Sequence, residues 1–258
     1  MQQLAFDEHG SGPHTVILLH GFPFTSAIWQ AQREALGNGK RRIVTPDLPG
    51  FGRTKGSEES MDAYAEDVRA LIDKLGAQRV ILGGFSMGGY VALAFARKYA
   101  DRLEGLLLVD TKADPDSEEA RVGRYALIER VEAEGPQAAF DAMLPRLIAP
   151  DTKEKRPEVI DRLREIASGV TAEGVVGALT AMAERPDSTT ILGDLTIPAL
   201  IIVGMHDQIT PSRDDDELGT QLPMARIAII DDAGHATPVE NPPAVTAAIQ
   251  SWLIEHGW

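Results

Sequence analysis

Short apolar runs recur along the chain, at residues 15–20, 42–45, 79–83, 106–109, 199–203 and 227–230, each followed by a Gly- or Asp-rich turn and then a helical pattern. The runs are continuous rather than alternating, which is how strands read when helices cover both faces of a parallel sheet. The helical stretches carry the matching stripe: Tyr64, Val68, Leu71, Ile72 and Leu75 share one face, as do Val245, Ala248, Ile249, Trp252 and Leu253. Ser60 stands where an N-cap belongs, and Gly76 where the chain must leave the helix left-handed. Strand and helix in alternation predict an α/β fold, a mostly parallel central sheet with right-handed crossovers.

The alternation stops between about residues 112 and 190. That stretch reads as helices broken at Gly135-Pro136, at Pro145, between Pro150 and Pro157, and at Gly169. It fits a separate helical layer over the sheet better than a set of long crossover helices within it. A chain of 258 residues suits one large α/β domain with such an insertion and can bury roughly 75% of its unfolded surface without a staple. The absence of cysteine removes disulfides, thiolate nucleophiles and Cys-ligated metals. A net charge of −14 argues against a nucleic-acid partner, because phosphate binding needs a basic surface. No apolar run approaches the roughly 18 residues of a membrane-spanning helix. The opening Met1-Gln2-Gln3-Leu4 lacks the basic and apolar regions of a secretory leader, so the expected location is the cytoplasm, with no membrane partner.

The sharpest local signal is Gly84-Phe85-Ser86-Met87-Gly88, between the strand run ending near Gly83 and the helical run from Tyr90. A G-x-S-x-G at a strand-to-helix turn holds a serine hydroxyl at a helix N-terminus, where developing negative charge is stabilised. Such a serine needs a base, and the base an orienting acid, in the chain order serine, acid, histidine. His235 follows the last strand run in Asp232-Ala233-Gly234-His235 and is the expected base. His9, His14 and His256 lie near the chain ends, and His206 adjoins a candidate acid. That acid, Asp207 in Gly204-Met205-His206-Asp207, ends the strand run at 199–203, on the sheet edge where open α/β folds place their sites. Asp110, at the end of the preceding strand, is its rival, while Asp231 and Asp232 fit a local turn. The oxyanion hole should combine the backbone N–H groups of Met87 and of Phe22, the latter in His20-Gly21-Phe22-Pro23. That loop can also be read as a simple tight turn into the next helix.

Together, His20–Pro23, Asp47-Leu48-Pro49-Gly50-Phe51-Gly52-Arg53-Thr54, the Ser86 turn, Gly204–Asp207 and Gly234-His235 resemble the α/β-hydrolase superfamily in order and spacing. Within it, the chain resembles the compact bacterial serine esterase, enol-lactonase and cofactor-free haloperoxidase group. The resemblance implies a hydrolase core at 1–111 and 191–258, a helical cap (lid) at 112–190, and a substrate pocket between the cap and Ser86. The loop at 47–54 would be a wall of that pocket rather than a catalytic part.

Serine at the turn excludes the alkyl-ester chemistry of epoxide hydrolases and haloalkane dehalogenases, which use aspartate there. The expected activity is hydrolysis of a small to medium carboxylic ester through an acyl-enzyme on Ser86. A lactonase, a carbon–carbon bond hydrolase and a non-catalytic small-molecule receptor are the alternatives. No cofactor or metal is implied. Residues 83–89 match neither phosphate-loop nor dinucleotide patterns, and Asp214-Asp215-Asp216-Glu217 reads as an acidic first helical turn rather than a calcium loop. Leu127, Val131, Phe140, Met143, Leu144 and Leu147 are candidate pocket residues that fit core contacts better. The acidic surplus in this segment disfavours a strongly anionic substrate unless an arginine such as Arg124 or Arg146 points inward. If His235 titrates in the ordinary imidazole range near about 6.5, activity should rise with pH through that range, because a general base must be neutral. A rate profile flat from about pH 5 to about pH 8 would remove His235 as the base.

Overall fold

A computed structural model describes residues 2–211 and 218–258; the acidic run at 214–217 lies outside the described residues. The strands are β1 (Phe6–His9), β2 (His14–Leu19), β3 (Arg41–Pro46), β4 (Val80–Phe85), β5 (Leu103–Val109), β6 (Ala199–Gly204) and β7 (Ala225–Ile230). They form one sheet in the order β1-β3-β2-β4-β5-β6-β7, in which only β1 is antiparallel to its neighbour. Each apolar run of the sequence falls on one of β2–β7. Strands β4 and β6 are buried along their whole length, as continuous apolar runs require. The run in β7 differs: this strand ends the sheet, and Ile227 and Ile229 stay 40% and 58% exposed. Gly10–Pro13 looks like the turn of a hairpin in sequence. It does reverse the chain, but β3 lies between β1 and β2, so the two flanking strands are not partners.

Helices α1 (Gln30–Leu36), α2 (Met61–Lys74) and α3 (Met87–Tyr99) belong to the core. In α2 the Ser60 hydroxyl accepts the Ala63 N–H at 3.2 Å, and Gly76 turns left-handed at φ 70° just past the end. Its buried stripe includes Tyr64, Val68, Leu71 and Ile72. Between β5 and β6 the chain forms α4 (Glu118–Glu134), α5 (Gln137–Leu147), α6 (Pro150–Lys155), α7 (Pro157–Ile166) and α8 (Ala172–Ala183), which make the cap region. Pro150 and Pro157 each start a helix, where a missing N–H costs nothing. Pro145 does not break α5 as its sequence predicts; it sits within the last turn, and the helix ends at Leu147. A last helix, α9 (Pro242–Glu255), buries Val245, Ile249, Trp252 and Leu253. No helix among the described residues is long and apolar enough to cross a membrane.

The cap is pinned to the core backbone against backbone. Phe51 bridges Val170, the Gly52 N–H donates to Gly169 O at 2.6 Å, and the Thr171 N–H donates to Gly50 O at 3.0 Å. Approach this close needs glycine: a Cβ on Gly50 would lie 2.1 Å from the Gly174 Cα, at a φ of 86°. The sequence segment 47–54 therefore carries α8 in place over the sheet. Gly50→Ala should cost about 1–3 kcal/mol in urea unfolding. Gly39→Ala, where nothing lies within 4 Å of the added methyl, should change stability little. Equal midpoints for the two variants would refute this account of the pin.

Candidate active site

A single residue, Ser86, separates β4 from α3. Turning from strand to helix over one residue sets it at φ 52° and ψ −115°, a region that costs a non-glycine residue about 1–3 kcal/mol. The flanking chain is crowded. A Cβ on Gly84 would lie 2.1 Å from the Gly88 carbonyl carbon, and one on Gly88 would lie 2.5 Å from the Leu19 carbonyl oxygen. That crowding is the reason for the glycines on either side of the serine. The Ser86 N–H donates to Val109 O, and the Thr111 hydroxyl donates to Ser86 O, both at 2.8 Å, which holds the strained residue. Its side chain stands at the first turn of α3, whose leading N–H groups have no partners within the helix.

The loops after β6 and β7 bring two further groups to this point. His235 Nε2 lies 2.8 Å from Ser86 Oγ, and its Nδ1 lies 2.8 Å from Asp207 Oδ2. His235 is fully buried, and so is the carboxylate of Asp207. Asp207 Oδ1 accepts the N–H groups of Ile209 and Thr210 at 2.7 and 3.0 Å, and Oδ2 accepts the Thr210 hydroxyl at 2.7 Å. Burial works to raise the Asp207 carboxyl, but His235 and these donors outweigh it and hold it below the ordinary aspartate value. An ionised carboxylate can only accept, so Nδ1 carries the imidazole proton and Nε2 is left to accept from the serine hydroxyl.

The rival acid is engaged elsewhere. Asp110 accepts the Gly204 N–H at 2.9 Å and the Thr237 hydroxyl, so it braces the loops that carry Asp207 and His235. His206 is exposed. Two braces were not foreseen from sequence. Buried His20 accepts the Leu48 N–H on Nε2 at 2.9 Å and turns Nδ1 to Gly21 O at 3.0 Å, and burial pushes its pKa down. Asp47, 2% exposed, accepts the N–H groups of Ser26 and Arg53 and the Arg53 Nε–H at 2.9–3.1 Å. Together they fix the loop of Gly21 and Phe22 against the loop at 47–54. Burial raises the Asp47 carboxyl, yet its Ser26, His20 and Arg53 contacts bring it below the usual value. The stabilisation from these contacts is therefore present above the unfolded value of about 3.9 and is lost as pH falls through the lower folded value. Asp47→Asn should destabilise by about 1–3 kcal/mol at neutral pH, with the gap closing in acid. Urea midpoints that stay equally far apart at all pH values would contradict it.

A cavity of about 680 Å³ opens between cap and core. Phe22 and Ile209 line it from the core side, and Leu127, Met143 and Leu179 from the cap. Of the candidate pocket residues, Leu127 and Met143 do face it, while Val131, Phe140 and Leu147 are buried in the core clusters. Arg124 and Arg146 also line the cavity. The acidic surplus of the cap segment is therefore no ground for disfavouring an anionic substrate, because net charge along a segment does not say which side chains face inward. Arg124 is ion-paired with Asp116, whose side chain is shielded from solvent, and Arg146 donates to Gln208 O at 2.7 Å.

The chain as a whole is similar to several known proteins. The chain superposes on an esterase from Thermogutta terrifontis, solved with malate bound, with a TM-score of 0.93, 45% identity and coverage of 98% of this chain and 93% of that one. An enol-lactonase from Burkholderia xenovorans gives a TM-score of 0.89 at 27% identity over 97% and 96% of the two chains. A pimeloyl-[acyl-carrier protein] methyl ester esterase from Aromatoleum aromaticum is 29% identical over 88% of this chain and 93% of its own length. The model of the alpha/beta hydrolase family matches residues 16–249, nearly the whole of the strand and helix alternation with which the sequence opened. The chain belongs to the α/β-hydrolase family.

Proposed function

We propose that this hydrolase cleaves small to medium carboxylic esters through an acyl-enzyme on Ser86, with His235 as general base and Asp207 as its orienting acid. The observation that carries the reading is the unbroken line from Ser86 Oγ through His235 to Asp207, with both contacts at 2.8 Å and the imidazole buried. In the first half, Ser86 Oγ attacks the ester carbonyl carbon while His235 Nε2 takes its proton. The backbone N–H groups of Phe22 and Met87 hold the resulting oxyanion, donors worth about 10²–10³ in rate each. The carbon–oxygen bond to the alcohol then breaks, and the alcohol leaves with the proton from His235. In the second half, water attacks the acyl carbon, His235 takes its proton and returns it to Ser86, and the acid departs. The cap over the cavity, assigned to residues 112–190 on a core of 1–111 and 191–258, would set how large an acyl or alcohol group fits.

The likeness to an esterase at 45% identity supports ester over other acyl substrates. The enol-lactonase, at 27% identity, favours a lactone as the second reading, which uses the same groups with the leaving alcohol tethered to the acid. The test is turnover of p-nitrophenyl esters, from acetate through decanoate, alongside ring opening of simple lactones. Ser86→Ala should lower kcat by at least about 10³-fold without unfolding the protein. Ester turnover that survives in this variant would overturn the role of Ser86. Folded wild-type protein that turns over lactones only would move the assignment to the second reading, and one inert to both would end it.

A further inference from the structure

Glu240 is a carboxylate that the proposed mechanism does not use, yet it is 2% exposed and fully engaged. It closes the one-turn helix Thr237–Glu240, directly after the base loop. Its Oε1 accepts the N–H of Gly234, the residue before His235, at 2.8 Å. Its Oε2 accepts the N–H of Ala149 at 2.8 Å and the hydroxyl of Thr152 at 2.7 Å, both at the corner between α5 and α6 of the cap. The two sides of this bridge also touch directly. A Cβ on Gly234 would lie 2.6 Å from the Ala149 nitrogen, and the Ala236 N–H donates to Leu147 O at 2.9 Å. From the cap, Arg156 donates to the carbonyl oxygens of Glu240 and Asp232, at 2.5 and 2.9 Å. His235 is thus flanked before and after by backbone that is tied to the cap.

We propose that Glu240 is a positioning residue for His235: one carboxylate sets the base loop through Gly234 and locks it to the Ala149–Thr152 corner of the cap. The proposal rests on the reading of His235 as the general base. Each oxygen of Glu240 faces a backbone N–H, so an amide in its place, with one oxygen and one NH₂, must set two donors against each other on one side. Because Gly234 and Ala149 are in backbone contact, parting on either side displaces Gly234. A displacement of about 1 Å at a catalytic group can cost about 10²-fold in rate.

The experiment compares wild type, Glu240→Gln and Thr152→Val. The kcat for p-nitrophenyl acetate is expressed per reactive serine, counted with a fluorophosphonate, so that unfolded protein does not contribute. The low-field proton resonance of the imidazole N–H is read in the free enzymes. Glu240→Gln should lose about 10–100-fold in kcat with KM within about 3-fold of wild type, and should shift or broaden the imidazole resonance. Thr152→Val, which leaves Glu240 and both backbone donors in place, should keep the resonance and most of kcat. An unchanged resonance and kcat in folded Glu240→Gln would overturn the proposal, as would equal losses in the two variants. Should the amide variant not fold, Glu240→Asp, with its shorter reach, is read in the same way. The resonance is observed without substrate, so a failure of the ester assignment and a failure of this one give different results.

Discussion

A single hydrogen bond, 2.8 Å from Ser86 Oγ to His235 Nε2, joins residues 149 apart in sequence, and the architecture can be understood as what makes that contact possible. A parallel sheet delivers the carboxyl ends of its strands to one edge, so the turn after β4 and the loops after β6 and β7 emerge side by side. Neither partner could come from a neighbouring stretch of chain, because a helix must cross back over the sheet before the next parallel strand begins. The distance in sequence is the ordinary cost of this topology, and the proximity in space is its product.

Buried carboxylates tie such loops to one another. Asp47, Asp110 and Glu240 each collect donors from two segments that the sheet alone would leave loosely related. Burying a carboxylate is unfavourable unless its oxygens are satisfied, and here backbone N–H groups and hydroxyls supply most of the donors. Backbone donors suit the purpose because they cannot rotate away as a long cationic side chain can. The network ties together the loops at the carboxyl ends of the strands, while the far side of the cavity is lined by the helices of the cap.

What the sequence makes legible follows from range. Strands β2–β7 announce themselves because burial on both faces leaves a local record, a run of apolar residues with a turn after it. Strand β1 leaves none: it has four residues, half of them exposed, and pairs at the sheet edge. Ser86, Asp207 and His235 stand out as candidates because each sits at a strand end in a Gly-containing motif, and the fold does bring them together. The braces are silent in sequence. Nothing near Glu240 hints at Ala149, 91 residues away, and nothing near His20 points to Leu48. Asp110 drew attention for its position, but a position at a strand end does not say which donors a carboxylate will meet. Pro145 misleads in the opposite direction: it costs α5 one backbone donor, but only two helical residues follow it, so the helix ends soon after instead of being broken there.

The left-handed backbone of Ser86 has a consequence for how this chain can change. Glycine would relax at φ 52°, whereas serine is strained there, so the residue that the proposed chemistry needs is not the one this backbone favours. At this one position, selection for a robust molecule and selection for a reactive one pull apart. A descendant released from its reaction could drift toward glycine at residue 86 and become sturdier as it fell silent. Loss of activity by that route would carry no penalty in folding, and the missing hydroxyl would be its record.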